Sequence, residues 1–189
     1  ERELTGLRRA VEQVHELMNR KAATAAPIER IDGRAFQRVC DSVVKWEWNE
    51  DLKAIRSMEP VFHLSPEIDA FIDDERLCAP ARNLLGVDEI SLFTDKLNFK
   101  RPGGSPFPWH QDAPYWAFGC KHLDRLVSMQ VYLDEATVEN GCLWVIPESH
   151  RLGHVPAPKD RRLIGGLFSD ISHIPGLTPE PIVVPAGSV

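Results

Sequence analysis

Residues 126–134 alternate strictly between two chemistries. Val127, Met129, Val131 and Leu133 fall on one side, and Leu126, Ser128, Gln130, Tyr132 and Asp134 on the other. A period of two is the mark of a β-strand. A face carrying serine and glutamine opposite an apolar face fits a barrel or sandwich whose interior holds a polar ligand. Residues 89–100 repeat the pattern, with Ile90, Leu92, Thr94, Lys96, Asn98 and Lys100 opposing Ser91, Phe93, Asp95, Leu97 and Phe99. Asn140-Gly141 is a strong turn signal, followed by the apolar run Cys142–Ile146 and a stop at Pro147.

The first half reads as helix. Leu4, Leu7, Val11, Val14 and Met18 recur at spacings of three and four, as in an amphipathic helix ending before Pro27. Residues 33–46 (Phe36, Val39, Val43, Val44) and 50–58 (Leu52, Ile55, Met58) suggest two further short helices. Ser65-Pro66-Glu67 is a helix start with a capping hydroxyl and a proline at the first position, and Gly86 is a helix stop. Pro80 is expected to split that segment in two. Helices first and strands afterwards predict a mainly β fold with helical cover, its core a double-sheet jelly roll. The expected organisation is one domain over residues 1–189, mainly helical over 1–86 and β over 87–189. It reads as incomplete, because the chain opens inside a helical period and closes on a turn leading towards a strand.

A chain of 189 residues with 43% hydrophobic content can bury the core of such a domain. A net charge of −6 without basic runs argues against nucleic acid or an anionic membrane as partner. No apolar run approaches the roughly 18 residues of a membrane span. Cys40, Cys78, Cys120 and Cys142 are far apart and form no C-x2-C pair, which fits reduced, buried thiols in a cytoplasmic protein better than zinc or disulfides.

Chemistry concentrates at Trp109-His110-Gln111-Asp112. On a strand, i and i+2 share a face, so one strand end offers an imidazole and a carboxylate to the same metal ion. Two such ligands are part of the 2-His-1-carboxylate triad that leaves positions open on Fe(II). The spacing alone is weak evidence. With 7 histidines and 28 acidic residues, chance supplies about one H-x-[D/E] match, and His122-Leu123-Asp124 is a second.

Three blocks decide between the two matches. Leu97-Asn98-Phe99-Lys100-Arg101-Pro102, then Trp109–Asp112, then Asp134–His150 with its N-G-x-L-x-x-I-P-x-S-H pattern, closely resemble the phytanoyl-CoA dioxygenase family of Fe(II)/2-oxoglutarate-dependent oxygenases. The family includes ectoine hydroxylase. The resemblance is strong over residues 89–155 and extends to the first half only in layout. It implies a double-stranded β-helix (cupin-like) core with His110 and Asp112 as metal ligands and catalytic residues. His110 follows the N-F-K-x-P loop as the family's ligand does, whereas His122 and Asp124 lie on a charged linker. Halogenating relatives replace the carboxylate with a small residue, so Asp112 implies hydroxylation.

The same resemblance implies that Asn98 and Ser128 contact 2-oxoglutarate, with Gln130 a further candidate and Phe107 lining the pocket. Trp116 matches an aromatic substrate wall and Lys96 a nearby basic residue. Each has a plainer reading, as a strand residue or as hydrophobic packing. In the family a third ligand histidine follows an A-G-[D/S]-[V/L] strand, and an arginine beyond it anchors the co-substrate. Ala186-Gly187-Ser188-Val189 matches that strand, so both are expected beyond Val189. His150, His154 and His173 are expected to be loop histidines.

The resulting expectation is an enzyme using Fe(II), 2-oxoglutarate and O2 to hydroxylate a C–H bond of a small organic molecule, releasing succinate and CO2. The alternative is a jelly-roll binding or scaffold protein whose metal site has decayed or serves sensing. A hydrolytic metal site is disfavoured, because it would leave Asn98 and Ser128 without a role.

Overall fold

The computed structural model describes residues 2–31, 33–49, 51–117, 119–155, 169, 171–172 and 174–189. It divides into two compact units, one of residues 1–105, 127–135 and 185–189, the other of residues 106–126 and 136–184. Among the described residues no helix is long and apolar enough to cross a membrane.

The first unit opens with helix α1 (Arg2–Ala22), whose buried line is Ala10, Val14, Met18 and Ala22. These recur every four residues, so they stack on one side of the helix. Leu4, Leu7 and Val11 are only half-buried beside that line. An antiparallel sheet follows: β1 (Glu29–Ile31), β2 (Arg34–Val39), β3 (Ser42–Trp46), β4 (Ile55–Glu59) and the short β5 (Leu97–Asn98), in that spatial order. Residues 33–46 and 50–58 are therefore strands and turns, not the two short helices expected.

The misreading has a physical cause. The inward positions of β2 and β3 include Gln37 and Ser42, both buried, and these polar residues hide the period of two. They are tolerated inside because they are bonded. Gln37 Nε2 donates to the carbonyls of Ala22 (2.8 Å) and Ala26 (2.9 Å), and Ser42 Oγ donates to that of Pro60 (2.7 Å). The hairpin between β2 and β3 turns through Cys40 and Asp41, both at positive φ. No glycine announces that turn.

Val39, Val44, Ile55 and Met58 close the core against α1, joined by Val61 and Ile68. The next two helices start and stop as read from the sequence. Ser65 caps α2 (Pro66–Ile72) with Pro66 in its first turn, and Gly86, at φ 64°, ends α3 (Glu75–Leu85). Pro80 does not split the segment; it lies inside α3. The break comes at Asp73 and Asp74, because the Asp74 carboxylate accepts the Arg76 N–H at 2.8 Å and restarts the helix there.

Of residues 89–100, only Leu97 and Asn98 join the sheet, opposite Met58 and Ser57. The alternation survives only over residues 96–100: Leu97 and Phe99 pack against the core, while Lys96, Asn98 and Lys100 are exposed. Along 126–134 the chain forms no strand. It is tied at Tyr132, whose N–H donates to Ser188 (2.9 Å) and whose carbonyl accepts from Gly187 (2.7 Å). Val127, Met129 and Val131 are half-buried, and Ser128 and Gln130 are exposed. Lys96, Asn98, Ser128 and Gln130, whose faces were expected inside, are thus exposed.

In the second unit, β6 (Leu143–Val145) pairs antiparallel with β7 (Glu180–Ile182). The Asn140-Gly141 turn forms as expected. Asn140 Oδ1 accepts the Thr137 N–H at 2.8 Å, and Gly141 takes φ 85°. Cys142 is buried, Cys78 and Cys120 are half-buried, and Cys40 is exposed. All four are free thiols, so burial was the wrong expectation for Cys40, which sits in a hairpin turn.

Candidate metal centre

Two prolines, Pro106 and Pro108, lead the chain into the second unit's H-x-D segment. His110 Nδ1 lies 2.8 Å from the Pro108 carbonyl. A carbonyl only accepts, so Nδ1 carries a proton, and Nε2 is the nitrogen whose lone pair a metal would take. That nitrogen stands 3.5 Å from Asp112 Oδ1. A lone pair and a carboxylate oxygen facing each other at this range suit a shared cation, since first-row metals take such donors at about 2.1 Å.

The two side chains converge by an unexpected route. Asp112 is not on a strand. It is the residue before a single helical turn, α4 (Ala113–Trp116), with αR backbone angles and no side-chain capping bond. An aspartate there would ordinarily accept a backbone N–H of the first turn. Pro114 has no N–H to offer, and the Tyr115 N–H is taken by the Asp112 carbonyl at 2.9 Å. The carboxylate is thereby turned towards His110. The Tyr115 ring meets the imidazole edge-on at 5.8 Å.

Both neighbours of His110 are fastened. The Trp109 carbonyl accepts the Ser169 N–H at 2.8 Å. Gln111 uses both ends of its amide, Nε2 donating to the Gly153 carbonyl and Oε1 accepting the Val155 N–H, each at 2.8 Å. Gly153 has φ 65° and ψ −147°, a conformation open essentially to glycine alone, and follows the 3-10 turn Ser149–Leu152 of the P-x-S-H block. The block thus grips the H-x-D segment through Gln111. Sequence reasoning passed over Gln111, and no spacing rule would have found it. Replacing Gln111 with leucine keeps the volume and removes both bonds. It is expected to weaken metal affinity about tenfold, as loss of an orienting partner does, and titration with Co(II) would measure this. Unchanged affinity would show that the clasp does not orient His110.

The other sequence candidates distribute as follows. His122 precedes a 3-10 turn at Leu123–Arg125 that contains Asp124, and both side chains are exposed. Phe107 and Trp116 are half-buried in the second unit, and His150 and His154 are exposed there. His173 lies outside the described residues. Asn98, Ser128, Gln130 and Lys96 belong to the first unit. Lys96 Nζ lies 3.9 Å from Glu59, which Lys45 also contacts at 2.5 Å. Among the described residues no group of three or more His, Cys, Asp or Glu side chains is placed to hold a metal. His110 and Asp112 form a pair.

The family model described as Phytanoyl-CoA dioxygenase (PhyH) matches residues 4–188. Three relatives illustrate the similarity. A probable alpha-ketoglutarate-dependent hypophosphite dioxygenase of Stutzerimonas stutzeri is 34% identical over 102 residues, covering 54% of this chain and 34% of that protein. A methylphosphonate hydroxylase of Gimesia maris is 42% identical over 76 residues, 40% of this chain and 26% of its own. An ectoine dioxygenase of Sphingopyxis alaskensis is 43% identical over 101 residues, 51% of this chain and 32% of its own. The chain thus matches about a third of these relatives' length. No solved structure matches it.

Proposed function

The chain belongs to the phytanoyl-CoA dioxygenase family, and we propose that it carries part of the active site of an Fe(II)- and 2-oxoglutarate-dependent dioxygenase that hydroxylates a small organic molecule. The observation that carries this reading is the pair itself, with His110 Nε2 set 3.5 Å from Asp112 Oδ1 and Nδ1 committed to the Pro108 carbonyl. Bound Fe(II), with 2-oxoglutarate and O2, supplies C–H hydroxylation with succinate and CO2 as co-products.

The residues divide the remaining work. His110 gives a neutral nitrogen ligand and Asp112 an anionic oxygen ligand, which lowers the net charge of the bound cation. Asn98 and Ser128, with Gln130 beside them, offer hydrogen bonds to 2-oxoglutarate, and Phe107 keeps the pocket wall apolar. Trp116 and Lys96 serve the substrate. The relatives named for hypophosphite and for methylphosphonate, and another named for 2-aminoethylphosphonate, favour a small polar substrate with an anionic group, for which Lys96 is the matching cation. The jelly-roll (double-stranded β-helix) core stays part of this reading. So does a single domain over residues 1–189, since the two units interleave along the chain.

The test is succinate formation by the full-length protein given Fe(II), 2-oxoglutarate and O2, with small phosphonates and ectoine offered in turn. Iron-dependent succinate in step with one hydroxylated product is expected. No iron-dependent succinate with any of them would refute the reading. That result would favour the second one, a binding or scaffold protein with a decayed or sensing site, which rests on His110 and Asp112 having no third ligand among the described residues.

A further inference from the structure

The first unit contains a buried ion pair that the proposed chemistry does not use. Arg56 Nη1 and Glu47 Oε1 are 2.9 Å apart, and each side chain is 3% exposed. Removing two charges from water is expensive, and such a pair adds little stability over an apolar one of the same size. Its partners show what it holds. Glu47 Oε1 also accepts the N–H groups of Trp48 (2.9 Å) and Ser105 (3.0 Å). Arg56 Nη1 also donates to the Ser105 carbonyl at 2.6 Å, and the Arg56 carbonyl accepts the Phe99 N–H at 2.8 Å. The guanidinium groups of Arg34 and Arg56 each stack 4.3 Å from the centre of the Trp48 ring.

Arg56 therefore grips the segment 99–105 at both ends, by its backbone at Phe99 and its side chain at Ser105. The middle is fastened as well. Arg101 meets His15 Nε2 at 2.8 Å, Asn49 Nδ2 donates to Gly103 at 3.3 Å, and the Gly104 N–H donates to Arg101 at 2.9 Å. Gly104 fits so closely that an added Cβ would lie 2.9 Å from Glu47 Oε2. This segment is the chain between Asn98 and the run Pro106–Trp109 that delivers His110.

We propose that Arg56 and Glu47 are positioning residues, fixing the path of residues 99–105 and with it the placement of the adjoining co-substrate contact Asn98. Neither residue touches the reacting groups. The role assigned to the segment rests on the oxygenase reading; the clamp itself does not.

Two variants of the full-length protein test this. Arg56→Lys keeps a cation beside Glu47 but loses the fork that reaches the Ser105 carbonyl. Gly104→Ala keeps both members of the pair but presses a methyl group against the Glu47 carboxylate and the Arg101 carbonyl, so it serves if the lysine variant does not fold. In both, faster hydrogen exchange at the Ser105 N–H is expected, with the KM for 2-oxoglutarate raised about tenfold, the scale seen when an orienting partner is lost. Faster exchange with unchanged KM would overturn the proposal, and so would unchanged exchange. If the wild type makes no iron-dependent succinate, the oxygenase reading fails separately, and exchange at the Phe99 and Ser105 N–H groups still decides whether the clamp holds the segment.

Discussion

His110→Ala is expected to reduce iron-dependent succinate formation by the full-length protein more than 100-fold, beyond what loss of an outer partner costs a metal site. The reason lies in the geometry of the pair. Nδ1 bonds the Pro108 carbonyl, and Nε2 faces Asp112 Oδ1 at 3.5 Å. Alanine removes that nitrogen and leaves a lone carboxylate on an exposed helical turn. Asp112→Ala removes the anionic partner and is expected to be as damaging. The control is His122→Ala, since His122 stands in the other H-x-D match, beside the exposed turn Leu123–Arg125. It should turn over at the wild-type rate. Isothermal titration with Fe(II) under argon, run beside the succinate assay, separates lost binding from lost chemistry. Equal turnover in His110→Ala and the wild type would remove His110 from the metal site.

Local signals with one cause were legible in the sequence. The Ser65-Pro66 start, the Gly86 stop and the Asn140-Gly141 turn each follow from one residue's backbone or hydrogen-bonding chemistry, and all three formed. The alternation of 126–134 was legible only over 127–131, where Val127, Met129 and Val131 are half-buried and Ser128 and Gln130 exposed. Which face would lie inside was not, because burial depends on partners far along the chain. The strands of residues 34–59 were missed for the same kind of reason. Gln37, Ser42, Glu47 and Arg56 are buried, and their polar partners come from elsewhere in the sequence, so nothing local marks them as inward. The H-x-D pair lies between these cases. Its spacing and its blocks picked out His110 and Asp112, which the structure brings to 3.5 Å, yet the expected strand was the wrong device. Pro114 denies Asp112 a capping donor, and the side chain turns back to His110.

Glu47→Ala tests the largest hidden cost in the first unit. Breaking a buried pair strands the other charge, so this variant is expected to lose about 3–5 kcal/mol of stability near neutral pH, read from urea unfolding. Burial by itself would raise the Glu47 carboxyl. The N–H donors of Ser105 and Trp48, with the Arg56 guanidinium, outweigh it and hold the group below the usual carboxylate range. A carboxyl with a depressed folded value contributes stability that is complete above its unfolded value, near about 4.3. That contribution is lost as the pH falls through the folded value. Wild-type stability should therefore decline below about pH 4.3, and Glu47→Ala should decline less steeply over the same interval. A loss under about 1 kcal/mol, the range of surface pairs, would mean that the pair is solvated. The double variant Glu47→Leu/Arg56→Met then separates two roles. An apolar pair of similar size should restore much of the stability, yet it cannot bond Ser105 at either its N–H or its carbonyl. A protein that is stable again but still exchanges rapidly at Ser105 and still has a raised KM for 2-oxoglutarate would show that the ion pair is kept for the path of residues 99–105 rather than for stability.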